Sequence, residues 1–247
     1  MKLSAIIIAK NEEERIASCL ENVAFADERI VVDNGSTDKT ADLARGHGAK
    51  VFTAAEKDFS ALRELGLKEA TGTWVLYIDA DEEVGEKLQK EIQHVIRRSS
   101  NIGYFIKRDT FYLGSHWPYQ DKVERLFLRT ALRGWHGPLH ETPLYVGDIG
   151  VLDNPLVHRT HRTLEEMVAK TNEWSALEAK LRLDAHHPPV VWWRLIRVMI
   201  TGFNRSFFAQ GGWKAGTVGW IESIYQAFSM FITYAKLWEM QQKKNVT

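Results

Sequence analysis

Asp79 and Asp81, separated by Ala80, close the apolar run Trp74-Val75-Leu76-Tyr77-Ile78. Two carboxylates therefore emerge where a predicted buried strand runs out into solvent. Alternate side chains of an extended strand share a face, so the pair can converge on one ligand. Open α/β sheets bind ligands beyond the carboxyl ends of their strands. A hard divalent cation takes one or two protein carboxylates and completes its shell with water and substrate phosphates. The chemistry that suits the triplet is cation-assisted binding of a diphosphate. Taken alone, the same residues also make an ordinary polar strand-to-turn transition.

The elements that must position this triplet read as repeated strand-then-helix units. Leu3-Ser4-Ala5-Ile6-Ile7-Ile8-Ala9 is a near-continuous apolar run, as expected of a strand buried on both faces. Asn11 opens a segment with Ile16, Leu20 and Val23 at helical spacing. Arg29–Asp33 is a second strand, ending in the turn Asn34-Gly35-Ser36-Thr37-Asp38, rich in helix N-cap residues. A helix to about His47, a strand at Lys50-Val51-Phe52 and a helix from about Ser60 to Ala70 follow, with Gly72 placed as a C-cap. This alternation predicts an α/β fold, a mostly parallel sheet with helices on both faces. Glu82 and Glu83 extend the acidic cluster and lead into a helix with Leu88, Ile92 and Ile96 on its apolar face.

Four segments in this order and spacing resemble the nucleotide half of the family-2 inverting glycosyltransferases: Ile6 to Glu12, Val31 to Asp38, Asp58-Phe59 with Arg63, and Ile78 to Glu82. The resemblance implies a GT-A (Rossmann-like) fold and a nucleotide-sugar (UDP-sugar) donor. It places Ala9, Lys10, Asn11, Glu12, Asp33, Asn34, Ser36, Asp58, Arg63, Asp79, Ala80 and Arg125 at the substrate. Backbone groups around Ala9-Lys10-Asn11 would frame a uracil, Asp33 and Asn34 the base and ribose, and Arg63 the diphosphate. Asp81, with Asp79, would hold Mg2+ or Mn2+. Arg125-Leu126-Phe127 and the stretch from Trp135 to Leu139-His140-Glu141 resemble one branch, bacterial enzymes that add glucose to the inner core of lipopolysaccharide. An inverting transfer needs a carboxylate to take the acceptor's proton. Glu141, after the Gly134–Pro138 loop, is the first candidate and Glu82 the reserve, with His140 orienting the base or helping to bind the diphosphate. Two other readings stay open, a polyprenyl-phosphate glycosyltransferase and a non-catalytic nucleotide-sugar-binding scaffold.

The remainder of the sequence narrows the class. Lys plus Arg and Asp plus Glu are equal at 32 each among 247 residues, so no global charge points to nucleic acid. The single Cys19 excludes a disulfide framework within one chain. Met1-Lys2-Leu3 leads directly into a strand without a signal peptide's cleavage region, which places the expected action in the cytosol. There is no P-loop or dinucleotide-type glycine loop, and neither His158-x-x-His161 nor His186-His187 carries the cysteines or spacing of a zinc site.

From Leu164 the character changes. A long polar-faced helix ends at His187-Pro188-Pro189, which divides a catalytic domain, 1–187, from a helical region, 188–247. Val190–Phe208 mixes aromatics with Arg194, Arg197 and Arg205. Val218–Trp238 places Trp220, Ile224, Phe228, Phe231 and Ala235 on one face and Glu222, Gln226, Ser229, Thr233 and Lys236 on another. The polar stripes argue against spanning. The expectation is amphipathic helices on an anionic membrane surface, at the inner face of the cytoplasmic membrane, near a glycolipid acceptor. Packing on the catalytic domain or on a second subunit is the alternative.

Overall fold

The computed structural model describes residues 1–54, 58–98, 100–139 and 141–246, the side chains of 244–246 excepted. In chain order the elements are β1 (Leu3–Ala9), α1 (Ile16–Asn22), β2 (Glu28–Asp33), α2 (Thr40–Gly46), β3 (Lys50–Thr53), α3 (Phe59–Glu69), β4 (Trp74–Asp79), β5 (Glu82–Glu83) and α4 (Glu86–Arg98). The chain continues through β6 (Gly103–Tyr112), β7 (Ser115–His116), β8 (Asp121–Leu128), β9 (Leu132–His136), β10 (Thr142–Tyr145) and β11 (Ile149–Thr160). It ends in α5 (Leu164–Asp184), α6 (Trp192–Asn204) and α7 (Gly216–Val246). Two compact units result. The first holds residues 1–109 and 121–158, the second residues 110–120 and 159–247. The break between α5 and α6 falls at the predicted Pro188-Pro189 step, but α5 groups with the second unit.

The first unit is built on a sheet of order β3-β2-β1-β4-β8-β6-β11-β5. The first four strands are parallel, as predicted. β8 joins β4 antiparallel, and β6 and β5 continue in antiparallel pairs, so the sheet is mixed where the sequence suggested mostly parallel pairing. β1 lies in the middle of the parallel part and shows why its run of apolar residues is unbroken. Leu3, Ala5, Ile7 and Ala9 pack with Ile16 and Leu20 of α1 and with Leu88 and Ile92 of α4. Ile6 and Ile8 point the other way, into a cluster with Leu62 of α3, Tyr77, Phe127 and Trp135. Both faces are covered, so both parities must be apolar.

Two glycines work differently from expectation. α3 ends on Ala70 in extended conformation, so Gly72 is no C-cap. A Cβ at Gly72 would lie 2.6 Å from Ser4 Oγ and 2.7 Å from Ser4 N, and the glycine donates its N–H to that hydroxyl at 2.9 Å. Gly134 lies within β9 rather than in a loop. Its φ of +149° and the Glu64 carboxylate 2.9 Å from a would-be Cβ exclude a side chain there.

In the second unit α5, α6 and α7 pack around Ala179, Val190, Val198, Tyr234 and Leu237. Helix α6 runs into a π-turn, Arg205–Ala209, and a 3-10 turn, Gly212–Ala215, precedes α7. The two predicted faces of α7 are present, with the apolar one outward. Glu222, Ser223 and Thr233 are buried, whereas Trp220, Ile224 and Phe228 are exposed. Among the described residues no helix is long and apolar enough to cross a membrane.

Candidate active site

The carboxyl ends of β1, β2 and β4 are held level by their register, which sets Ala9 beside Asp33 and Ile8 beside Asp79. The loops that follow β1 and β2 are stitched together. Asn34 donates its N–H to the Ala9 carbonyl at 2.8 Å, and Asn11 donates its N–H to Ser36 Oγ at 2.9 Å. Asn11 Oδ1 accepts from Thr37 N at 2.8 Å, and Glu12 N–H reaches Thr40 Oγ1 at 2.7 Å. Asn11 adopts φ +55°, a left-handed conformation that Asn tolerates better than most residues. Asp33 is buried and accepts from Ser36 N at 3.3 Å. The expected nucleotide residues Ala9 to Glu12, Asp33, Asn34 and Ser36 are thus one constellation. Two of the backbone groups expected to read a base, the Ala9 carbonyl and the Asn11 N–H, also hold the two loops together.

At the end of β4 the geometry is an alternating chain of charge. Asp79 is flanked by two guanidiniums, Arg125 Nη2 on Oδ2 and Arg63 Nη2 at 3.4 Å from Oδ1. Arg125 Nη2 also reaches Glu82 Oε1 at 2.9 Å, and Glu82 Oε2 accepts the Asp79 N–H at 2.9 Å. Arg108 lies 3.4 Å from the same Glu82 oxygen and forks onto Asp121 at 2.6 and 3.1 Å. Burial disfavours an ionised Asp79, but Arg125 and Arg63 outweigh it and hold the carboxyl well below the usual range. Burial likewise works against a charged Arg125, and Asp79 and Glu82 more than compensate.

Arg63 completes the chain. It donates from Nε to Glu141 Oε1 at 2.6 Å, and its Cζ lies 4.9 Å from the centre of a Trp135 ring and 5.5 Å from that of Tyr77. Tyr77 in turn donates to the Arg63 carbonyl, and Trp135 Nε1 donates to the Tyr77 hydroxyl. Arg63, which the resemblance places at the diphosphate, has its side chain only 5% exposed and bridges two carboxylates. Asp58, also expected at the substrate, caps α3, accepting from Ser60 N at 2.9 Å and Ser60 Oγ at 2.6 Å.

The two base candidates separate clearly. The Glu82 side chain has no exposed surface, and its oxygens face Arg125, Arg108 and the Asp79 N–H, so it cannot meet an acceptor hydroxyl. Glu141 keeps 15% of its side chain exposed. His140 lies outside the described residues.

Asp81 stands apart from the arginine chain. The antiparallel pairing of β5 with β11 sets His158 opposite Glu82, which brings His158 Nε2 to 3.4 Å from Asp81 Oδ2. The sequence had offered His158 only as half of an unconvincing His-x-x-His. Its partner His161 belongs to the second unit, where it meets Glu222 at 3.1 Å. Nothing local to His158 signals its neighbour, because the pairing spans 77 positions of chain. Among the described residues no three His, Cys, Asp or Glu side chains converge as a metal cage. One carboxylate and one imidazole still fit a cation that draws its other ligands from water and phosphate. Asp79, clamped by two arginines, does not fit as a second carboxylate ligand.

Residues 4–170 match the family model described as Glycosyl transferase family 2. An uncharacterized glycosyltransferase of Rickettsia typhi is 31% identical, over 98% of this chain and 88% of its own length. The lipopolysaccharide core biosynthesis glycosyltransferase LpsC of Rhizobium meliloti is 27% identical, over 99% of this chain and 94% of its own. Among solved structures, that of S. aureus TarS 1–349 in complex with UDP-GlcNAc gives a TM-score of 0.52 at 16% identity, covering 99% of this chain and 92% of that one. This last likeness is one of fold.

Proposed function

Because the chain belongs to glycosyltransferase family 2, with the GT-A fold, we propose that it moves glucose from UDP-glucose onto a membrane glycolipid of the lipopolysaccharide-core kind, with inversion at the anomeric carbon. That it is a glycosyltransferase follows from the family. The observation that carries the finer reading is the meeting of Glu141, Arg63 and Asp79 at the carboxyl ends of the parallel strands. The name of LpsC supports the acceptor class.

In this reading the stitched loops at Asn11 and Ser36, with Asp33 and Asn34, cradle the uridine. Asp81 and His158 would hold Mg2+ or Mn2+, which supplies charge neutralisation for the departing diphosphate. Glu141 takes the proton of the acceptor hydroxyl. The acceptor oxygen then forms its bond to the anomeric carbon as the bond to the diphosphate oxygen breaks, and UDP leaves with that electron pair. Arg63 keeps Glu141 aimed and ties it to Asp79. Residues 188–247 keep the enzyme peripheral on the inner face of the cytoplasmic membrane, where such an acceptor is presented.

One observation favours a second acceptor. The Glu141 oxygen nearest Arg63 is occupied by the guanidinium at 2.6 Å, and a polyprenyl phosphate, already an anion, needs no base. The test is a thermal-shift panel of nucleotide sugars with and without Mn2+, followed by transfer to purified core glycolipid and to polyprenyl phosphate. A ligand bound only by the native state raises its melting temperature. Stabilisation by UDP-glucose and transfer to the core glycolipid are expected. Transfer to polyprenyl phosphate alone would replace the acceptor, and no response to any nucleotide sugar would sink the donor reading.

A further inference from the structure

The second unit turns its apolar stripe outward. Trp192, Ile196 and Ile200 follow one another at four-residue spacing on α6, and Trp220, Ile224 and Phe228 do the same on α7. All six are 40–73% exposed. The two helices pack closely, with Gly202 of α6 set against the backbone of Gln226 and Ala227. Trp213, in the turn between them, is exposed as well. A helix on a water-soluble core buries such a stripe and exposes its polar residues. Here Glu222 and Thr233 are inside instead.

Charge identifies what the stripe meets. From Pro188 to Leu237 the chain carries Arg194, Arg197, Arg205, Lys214 and Lys236, and Glu222 is its only acid. Glu222 is buried against His161, so the exposed surface of this segment bears cations alone. Arg194 and Arg197 lie 5.2 and 5.6 Å from the centre of the Trp193 ring, and Lys214 Nζ lies 5.2 Å from that of Trp213. Exposed indoles carrying cations match the headgroup region, where the ring sits at the acyl boundary and the charge among phosphates. A second copy of this chain would set like charges face to face across a two-fold axis.

We propose that the exposed face of α6 and α7, with the Trp213 turn, lies flat in the interface of an anionic phospholipid bilayer. This deepens the membrane-acceptor reading by naming the surface, and vesicle binding stands whether or not the acceptor is a glycolipid. Flotation of the full chain with phosphatidylglycerol-containing vesicles tests it, with phosphatidylcholine vesicles as the control. Wild type should float with the anionic vesicles and release in high salt. Combining Ile196→Ser, Ile200→Ser, Trp220→Ser and Ile224→Ser should weaken binding at least ~10-fold without lowering the melting temperature, because exposed side chains contribute little to stability. A second variant, Arg194→Gln with Arg197→Gln and Arg205→Gln, should weaken anionic binding on the order of 100-fold, from roughly fivefold per charge. Brominated acyl chains should quench wild-type tryptophan emission most when bromine is near the headgroup. Wild type remaining at the bottom with both lipids would overturn the proposal. So would a lipid-free dimer, seen by sedimentation, that the serine variant converts to monomer. A UDP-induced thermal shift reports the donor reading separately: its loss with flotation intact sinks that reading alone, and the converse sinks the docking surface alone.

Discussion

Arg63 stands between Glu141 and Asp79, 2.6 Å from the first carboxylate and 3.4 Å from the second. A carboxylate 78 positions along the chain from Arg63 thereby shares its charge with the triplet that ends β4. The arrangement would tie the proposed proton acceptor to the proposed diphosphate end of the site. Glu141→Gln should leave UDP-glucose affinity nearly unchanged and lower kcat by roughly 10²–10⁴, the usual contribution of a general base. Arg63→Met, which strands Glu141 and leaves Asp79 to Arg125 alone, should cost about 3–5 kcal/mol in urea unfolding. The double variant should recover part of that loss. Strict additivity would show that the pair is not coupled.

Glu82 is expected to act by position. Glu82→Gln removes the charge that Arg125 and Arg108 share, so stability should fall by about 2–4 kcal/mol. Donor KM should rise because the single amide oxygen cannot serve both Arg125 and the Asp79 N–H. The split between KM and kcat separates this role from proton transfer: kcat should be largely kept in Glu82→Gln and fall steeply in Glu141→Gln. The reverse pattern would return Glu82 to the role of base.

Asp81 and His158 should act together. Asp81→Asn and His158→Ala should each weaken the Mn2+-dependent part of the UDP-induced thermal shift at least ~10-fold in apparent affinity. The metal-independent part should survive, since the proposed uridine cradle is on other loops. A full Mn2+ response in either variant would place the cation elsewhere.

At the opposite end of the sheet Glu28 accepts from Ser4 Oγ at 2.5 Å, Thr71 N at 2.8 Å and Lys50 Nζ at 2.6 Å. Burial raises its pKa, but these hydrogen bonds outweigh burial and bring it from 4.5 down to about 2. A folded value below the unfolded one means stability that is present above the unfolded pKa and lost as pH falls through the folded one. Glu28→Gln should therefore lower stability by ~2 kcal/mol at pH 7, after allowance for screening at exposed Lys50. The difference should shrink between pH 4.5 and pH 2. A difference that does not vary with pH would mean the bonds, and not the charge, carry the effect.

Much of this fold was legible because burial on both faces leaves an unmistakable run. The bounds of β1 and the end of β4 follow directly from where apolar residues give way to Lys10 and to Asp79. The Asn11 and Ser36 loops were marked as substrate contacts by the family resemblance, and the structure joins them to each other. Pairings across the antiparallel half were not legible, since a β5–β11 register leaves no trace in either segment alone. That is why His158 and the Arg125–Glu82 contact were missed. The two faces of α7 were assigned correctly, yet a periodicity says only that faces differ. Which one turns inward depended on His161, whose hydrogen bond lets α7 bury Glu222.

The seven residues of β1 join two ends with separate duties. At about 3.3 Å per residue the strand puts roughly 20 Å between the Ser4–Glu28 knot and the loops after Ala9. Couplings between substitutions fade beyond about 7–10 Å. Changes at the amino end of the sheet should therefore add to changes at the carboxyl end without altering them. A lineage could tune heat tolerance at Ser4, Glu28, Lys50 and Thr71 while its donor preference drifts independently at the other edge. Insulation of this kind leaves one scaffold free to explore many sugars.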